Sequence, residues 1–315
     1  MGIKWIFFFF LVLAHWSVLS QNDSLYIRRF PEKVTLRLGV QNTSNSFIIT
    51  DNETGEQTEI VPNDKTYLGL SALFRSVEVD LGYAPNFFSE NRDNSGSKLF
   101  TLNFRMFLGR WMQTLDFYRQ KGFFTQFNNE VIPFPELRTL KIGGTTSFIF
   151  NRNFSFRAIG FQNEWQKKSA GSFIPRFTFY YTRFRLEDAS IQTGDDHSFN
   201  LAIGPGYYYN LVIGKHFLLS AGATVGLGAN FTRSEGETFT SSLAQIIFRN
   251  AIGYNSERFF TGINLNAQVL EYGTDQNTQL DDTITFVELY IGYRLDAPKK
   301  WIQKADKFNR KFGLD

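Results

Sequence analysis

Cysteine is missing from all 315 residues. Its absence excludes disulfides, thiolate metal sites and a lipidated N-terminal cysteine. Long apolar runs are missing too, apart from one at the start. A helical membrane protein needs about 20 consecutive apolar residues per span, so that class is excluded. Mean hydropathy is only −0.23, although 36 residues are Phe. A barrel strand is apolar at every second position only, and such a chain averages near neutral. Glycine-rich nucleotide loops are also lacking. Gly222, Gly226 and Gly228 share one phase of a strand and cannot cradle a phosphate.

Charge of one sign is scarce in the body of the chain. The whole sequence carries +3, the mature chain without Lys4 carries +2, and Pro298–Asp315 alone carries +4, which leaves the body near −2. A body of that charge has no nucleic-acid footprint.

What the chain does have begins with a secretion signal. Lys4 supplies the positive start, Trp5–Ala14 (WIFFFFLVLA) the apolar core, and Val18-Leu19-Ser20 a cleavage site. Cleavage after Ser20 leaves Gln21 as the expected new N-terminus, with residues 1–20 as the leader.

Strict two-residue alternation follows. Phe259, Thr261, Ile263, Leu265, Ala267 and Val269 share one phase, while Gly262, Asn264, Asn266 and Gln268 share the other. A strand puts alternate side chains on opposite faces, so one face is greasy and the other lined with amides. The same pattern runs over Phe217–Phe231, Phe100–Leu108 and Val287–Tyr293. Several apolar phases hold six or more positions, longer than the five or six residues of an average soluble strand. Aromatics such as Phe217, Phe231, Phe248 and Tyr254 mark the ends of the runs, as interfacial girdles do. The opposite phase is small and polar, whereas a soluble sandwich turns Lys and Glu outward.

The expected fold is therefore all-β: an antiparallel transmembrane barrel of 12–14 strands over residues 21–297, followed by a basic amphipathic tail at 298–315. Fourteen strands can be counted. Twelve remain if Val34–Gln41 and Phe47–Ile49, joined by a turn at Asn42–Asn45, form a separate hairpin. Lys121–Glu136 reads as a loop, and Phe156 and Ala158 as part of a strand. One parity conflict stands. Asn151–Asn153 and Val212–Gly214 both look like tight periplasmic turns, yet three strands are counted between them. Either one turn faces outside or one strand is miscounted.

Lumen-facing candidates are Arg157, Lys167, Asn264, Asn266, Gln268, Glu288 and Arg294. The polar stretch Gln162–Ser172 is either a hairpin loop or a charged part of the lumen lining. The last strand, Phe286–Leu295, resembles the signal that barrel-assembly machinery reads on terminal strands, although 20 residues follow it. In the tail, Trp301, Ile302, Ala305, Phe308 and Phe312 recur at helical spacing among lysines, Lys304 included. Such a helix either lies on anionic headgroups of the inner leaflet or leans on the periplasmic mouth.

Lipid-acting barrel enzymes need a His–Ser pair, because a hydroxyl is inert until a base takes its proton. His197 with Ser198 or Ser172 has the right residue types. Adjacent residues in a strand point to opposite faces, however, which separates His197 from Ser198. Asp195-Asp196 and Asp281-Asp282 read as solvated acidic pairs rather than a metal site, and no cofactor is expected.

Several short motifs carry a resemblance: Val61-Pro62-Asn63 before Leu68-Gly69-Leu70, Lys121-Gly122-Phe123, Ile149-Phe150-Asn151 with Phe154-Ser155, and Gln166-Lys167-Lys168-Ser169-Ala170-Gly171-Ser172. On these, most of the mature chain resembles an uncharacterised domain-of-unknown-function family of outer-membrane barrels from Bacteroides-type bacteria. One departure is Ile60-Val61 ahead of Pro62, where an aromatic residue is expected. The resemblance implies a barrel and an outer-membrane address, and supplies neither catalytic residues nor a ligand. The expected role is a structural or small-solute barrel. The alternatives are a lipid-modifying enzyme, or an adhesion or assembly component that binds a partner through its loops or tail.

Overall fold

The computed structural model describes residues 25–63, 65–93, 96–127, 130–160, 163–186, 194–234 and 236–312. The leader lies outside the described residues.

Alternation builds the wall. The strands are β1 (Ile27–Arg29), β2 (Lys33–Asp51), β3 (Gln57–Pro62), β4 (Tyr67–Phe74), β5 (Val77–Tyr83), β6 (Lys98–Leu108), β7 (Trp111–Phe127), β8 (Glu130–Phe148), β9 (Glu164–Gln166), β10 (Ala170–Phe173), β11 (Arg176–Leu186), β12 (Gly194–Gly204), β13 (Gly206–Ile213), β14 (Phe217–Ser234), β15 (Glu237–Asn255), β16 (Phe259–Gly273) and β17 (Thr278–Asp296). Helices α1 (Ser89–Asp93) and α2 (Lys299–Phe312) complete the described elements. Antiparallel pairing closes β2-β4-β5-β6-β7-β8-β11-β12-β14-β15-β16-β17 into a ring of twelve. Closure leaves no edge strand to template aggregation.

The outward phase is apolar and exposed. Leu36, Leu38 and Val40 on β2 point away from the lumen, as do Val225 and Leu227 on β14 and Leu289 and Ile291 on β17. Thr35, Asn264, Ser220 and Glu288 point inward and are buried. Exposed aliphatics around a polar interior invert the arrangement of a soluble sandwich and match a wall bathed in hydrocarbon. No described helix is long and apolar enough to cross a membrane.

Twelve strands result for a reason different from the one expected. Asn42–Asn45 is no turn but the middle of the 19-residue β2. Two of its polar residues, Thr43 and Asn45, face the lumen and are buried, while Asn42 is exposed on the opposite phase. Phe156 and Ala158 belong to no strand. With that strand removed, the two turns at Asn151–Asn153 and Val212–Gly214 lie on the same side, the end expected from sequence to be periplasmic and so called, and the parity conflict disappears. Between them β10 continues into β11 past Pro175, and β12 into β13 past Pro205. Proline has no N–H to give the ladder, which breaks each strand without ending it. Lys121–Glu136 is also no loop: β7 and β8 run through it as a hairpin.

Above β4, β5 and β6 the wall narrows. There β3 pairs β2 on one side, through Phe47↔Ile60, and β7 on the other, through Pro62↔Phe123. The seam needs Gly122, whose φ of +88° favours glycine. A Cβ there would lie 2.3 Å from Ser97 Oγ, and Ser97 Oγ in turn accepts from Asn63 Nδ2 at 2.5 Å.

Candidate functional site: a closed, charged lumen

The periplasmic mouth is filled by the chain itself. After β8, residues 149–160 and 163–169 turn into the barrel instead of crossing the membrane. Phe154, Phe156, Ala158 and Ile159 are buried; the first two and Ile159 pack with Phe107, Met112, Tyr208 and Ala251, and Ala158 packs with Leu218, Phe260 and Tyr290. Burial on two sides explains why this stretch alternates like a strand. Polar side chains tie it down. Asn210 Nδ2 donates to Ser155 O at 2.8 Å, and Asn163 Nδ2 donates to Arg75 O at 2.7 Å. Ser155 N donates to Gln166 Oε1 at 2.8 Å, and Ser155 Oγ to Glu164 Oε2 at 2.5 Å. The N-terminal segment locks the plug from below, since β1 pairs with β9. Phe30 lies under the guanidinium of Arg294 at 4.5 Å, and Arg294 donates to Ser256 O at 2.6 Å and to Asn255 Oδ1 at 3.0 Å.

The outer half is closed by side chains that meet across the lumen. Phe47 of β2 touches Phe184 of β11 with ring centroids 4.7 Å apart and an interplanar angle of 73°. This edge-to-face contact sits in a cluster with Phe123, Leu270, Tyr272 and Leu280. Just below it, Lys141 Nζ of β8 donates to both oxygens of Asp282 of β17, at 2.7 and 2.6 Å. Those strands lie on opposite sides of the twelve-strand ring, so the ion pair spans the lumen. Asn45 Nδ2 adds a third bond to Asp282 at 2.7 Å.

Between plug and lid lies a chamber of about 150 Å³. Its lining includes Arg37, Arg105, Asp116, Arg176, Arg249 and Glu288, with Phe156 and Ile159 of the plug as its floor. Arg37 donates to Asp80 at 2.9 Å and lies 3.7 Å from Glu288. Arg105 donates to Glu78 at 2.6 Å. Gly39 makes room for this network, because a Cβ there would stand 2.6 Å from Glu288 Oε1. Tyr180 donates its hydroxyl hydrogen to Asp116 at 2.7 Å.

The residues singled out from sequence fall in several places. Asn264, Asn266, Gln268 and Glu288 line the chamber, and Asn264 donates to Glu288 at 3.1 Å. Arg157 sits in the plug, 3.6 Å from Glu164 and 4.5 Å from the face of Phe107. Arg294 lies in the periplasmic floor. Lys167 is a correction: it is exposed at the bottom of the plug and does not line the lumen, because β9 ends at Gln166 and the chain leaves the barrel there.

The His–Ser candidates are not brought together. His197 stands at the outer end of β12, where its Nδ1 meets the Tyr181 hydroxyl at 2.7 Å and its Nε2 lies 3.4 Å from Asp195. The Arg183 guanidinium grips Asp195 at 2.6 and 2.5 Å and holds that carboxyl below its ordinary range. Ser198 points the other way, is buried, and bonds Thr232 at 2.8 Å. Ser172 lies at the plug, where its hydroxyl accepts from Asn151 N at 3.0 Å. Both histidine nitrogens are engaged and neither serine faces them, so no proton relay exists among these residues. Among the described residues no group of three His, Cys, Asp or Glu could hold a metal ion.

In the tail, Trp301 packs on Phe74 with centroids 6.0 Å apart, and Asp306 pairs with Arg75 at 2.5 Å. Helix α2 therefore leans on the rim at the β4–β5 turn rather than entering the mouth. Trp301 and Phe308 remain about half exposed, and Lys304 is exposed. The side chain of Phe312 lies outside the described residues.

Sequence reading missed Lys141 and the four chamber arginines, and its solvated Asp281-Asp282 pair is corrected, since Asp282 is buried in the lumen against Lys141. Their signal was present: each is a charge on the small, polar phase of a strand. What such a residue meets across the lumen is not visible in one strand.

The fold and its lining define the class: a plugged, twelve-stranded β-barrel with an apolar exterior, of the transmembrane type. Within that class, the chain belongs to the family described as Domain of unknown function (DUF4421), whose model matches residues 21–295. No curated protein matches it in sequence. Among solved structures it is similar to the outer membrane protease OmpT of Escherichia coli, at 6% identity and a TM-score of 0.39, covering 87% of this chain and 99% of that one. It is also similar to the COG4313 outer membrane channel of Pseudomonas putida F1, at 9% identity and a TM-score of 0.42, covering 89% of this chain and 100% of that one. A third is the outer membrane protein OprG of Pseudomonas aeruginosa, at 12% identity and a TM-score of 0.25, covering 87% and 100%. Likenesses this distant transfer no residue's role.

The motifs that carried the family resemblance gather at two places. Val61 and Pro62 pair with Phe124 and Phe123 at the outer seam, where Asn63 reaches Ser97 beside Gly122, while Leu68-Gly69-Leu70 lies apart on β4. Ile149–Asn151, Phe154-Ser155 and Gln166–Ser172 meet at the plug, where Asn151 Nδ2 donates to Gly171 O at 2.7 Å.

Proposed function

We propose that the protein is a structural barrel of the bacterial outer membrane, closed to solutes at rest. The observation that carries this reading is the Lys141–Asp282 bridge across the lumen, with the plug below and the Phe47–Phe184 contact above. Of the two roles expected from sequence, this geometry favours the structural one over the small-solute pore. Residues 1–20 serve as the cleaved export signal. Strand β17 presents Val287, Leu289, Ile291, Tyr293 and Leu295 on its outward face, the pattern that assembly machinery reads. Helix α2 places its lysines against anionic headgroups on the periplasmic side, anchored at Arg75.

Planar-bilayer recording of the purified barrel tests the central claim. The intact protein should show no steady conductance, and conductance should appear only when a short Gly-Ser linker in place of residues 151–168 is combined with Phe47→Ala, Lys141→Ala and Asp282→Ala, which open the outer closure as well. Stable ohmic steps from the intact protein would overturn the reading.

A further inference from the structure

The four arginines of the chamber are not equally matched. Arg37 and Arg105 are paired with carboxylates on their own side, as described above. Arg176 and Arg249 are not. Arg176 is 4% exposed, donates to the Tyr208 hydroxyl at 3.2 Å, and leaves its Nε without an acceptor. Arg249 makes no hydrogen bond or ion pair among the described residues, and its buried Nε is also unmet. Its guanidinium lies over the ring of Phe156 at 5.3 Å. Asp116, which also lines the chamber, is engaged by Tyr180 and forms no ion pair with either arginine. A third donor is idle nearby, since Gln268 Nε2 is buried without a partner and lines the same space.

A guanidinium taken out of water without a counter-charge is costly. Such groups are stable when an acceptor of matching geometry joins them, and a planar fork of N–H donors matches the two oxygens of a carboxylate, phosphate or sulfate. A chamber of about 150 Å³ has room for such an ion with a few waters, as one water needs only about 10–15 Å³ of such space. The four arginines are matched in number by Glu78, Asp80, Asp116 and Glu288, but three of these carboxylates gather on Arg37 and Arg105, so the Arg176–Arg249 side is locally positive and suits an anion rather than a cation.

We infer that the central chamber is a binding site for a small oxyanion, held between the guanidinium groups of Arg176 and Arg249 with Gln268 as a further donor. The floor of the site is Phe156 of the plug, so a bound ion joins the plug to the wall. Plug and lid enclose the ion, and it enters during folding or when one of them opens. The site does not depend on whether the barrel conducts, because a leaking lumen would keep both arginines.

The test is thermal unfolding of the full-length mature barrel in detergent, followed by heat-modifiable gel migration. Samples are refolded in sodium acetate, sulfate or phosphate, and compared with sodium chloride at equal ionic strength. At least one oxyanion should raise the midpoint in a saturable way that chloride does not reproduce. Arg249→Gln should weaken the apparent affinity at least tenfold. In chloride alone it should unfold no earlier than the parent, because it removes an unmatched charge. Arg249→Lys keeps the charge without the fork, and should bind several-fold more weakly if Arg249→Gln fails to fold. No saturable shift with any of the three anions would overturn the assignment, as would an equal shift in parent and Arg249 variants.

Discussion

The ion pair across the lumen makes the sharpest test of how this barrel stays shut. Lys141 is 1% exposed, and the side chain of Asp282 shows no exposed surface. Asp282 accepts three bonds in all, two from Lys141 and one from Asn45. Lys141→Met removes two of them and leaves a carboxylate in mid-lumen with one neutral donor. Removing one partner of a buried pair costs about 3–5 kcal/mol, chiefly because the other charge stays behind unmatched. At about 1.4 kcal/mol per tenfold, the folded-to-unfolded ratio should fall by more than about a hundredfold. Asp282→Leu should cost about as much, since it leaves the Lys141 ammonium in mid-lumen without its counter-charge. The double change Lys141→Met with Asp282→Leu removes both charges, and replacements of that kind are about neutral or even stabilising. The singles together should therefore exceed the double by several kcal/mol, a coupling that a double-mutant cycle isolates. Equilibrium unfolding by guanidinium in lipid vesicles provides the four values. If each single costs under about 1 kcal/mol, comparable to an exposed pair, water already reaches this level and the lumen is not closed there.

Other outcomes follow from the same structure. Gly122→Ala places a Cβ 3.0 Å from Ser97 Cα at a φ of +88°. It should destabilise the barrel by about 1–3 kcal/mol, and Ser97→Gly should recover only part because the backbone strain remains; full recovery would show that the contact alone matters. Arg294→Ala removes the lid over Phe30 and should make residues 25–32 cleavable by added protease in the folded barrel, whereas unchanged resistance would assign the clamp to β1–β9 pairing alone. Hydrogen exchange over Lys299–Phe312 should slow in vesicles with anionic lipid relative to zwitterionic lipid, and identical rates would detach α2 from the membrane surface. The Asp195 carboxyl should titrate below the ordinary value of about 3.9, because Arg183 favours its charged form. Its folded value is depressed, so the contribution is present above the unfolded value and lost as pH falls through the folded one. Arg183→Gln should return the carboxyl to the ordinary range in an NMR titration, and an unmoved value would give the shift to another neighbour.

Much of the wall was legible strand by strand. Period-two alternation is a local property, and whichever phase meets lipid must be apolar at every position it exposes. Phe259–Val269, Phe217–Phe231 and Val287–Tyr293 could therefore be placed, with their inward amides, before any partner was known. The same locality misled at Asn42–Asn45, where four polar residues that read as a turn lie within β2 and two of them face the lumen. It misled again at Phe156, where alternation reports a buried face but not which wall buries it.

Residue order and hydropathy sufficed for the class, the strand run, the direction of each face and the basic tail, since each depends on neighbours within a few positions. Three-dimensional closure was needed for everything that gives this barrel its character. Lys141 meets Asp282 from 141 positions away, Phe47 meets Phe184, and residues 149–160 and 163–169 fold inward rather than through the membrane. Coulombic and packing energies depend on distance in space. In a closed ring, the residues that face one another across the lumen are set by register and circumference, which no single strand encodes.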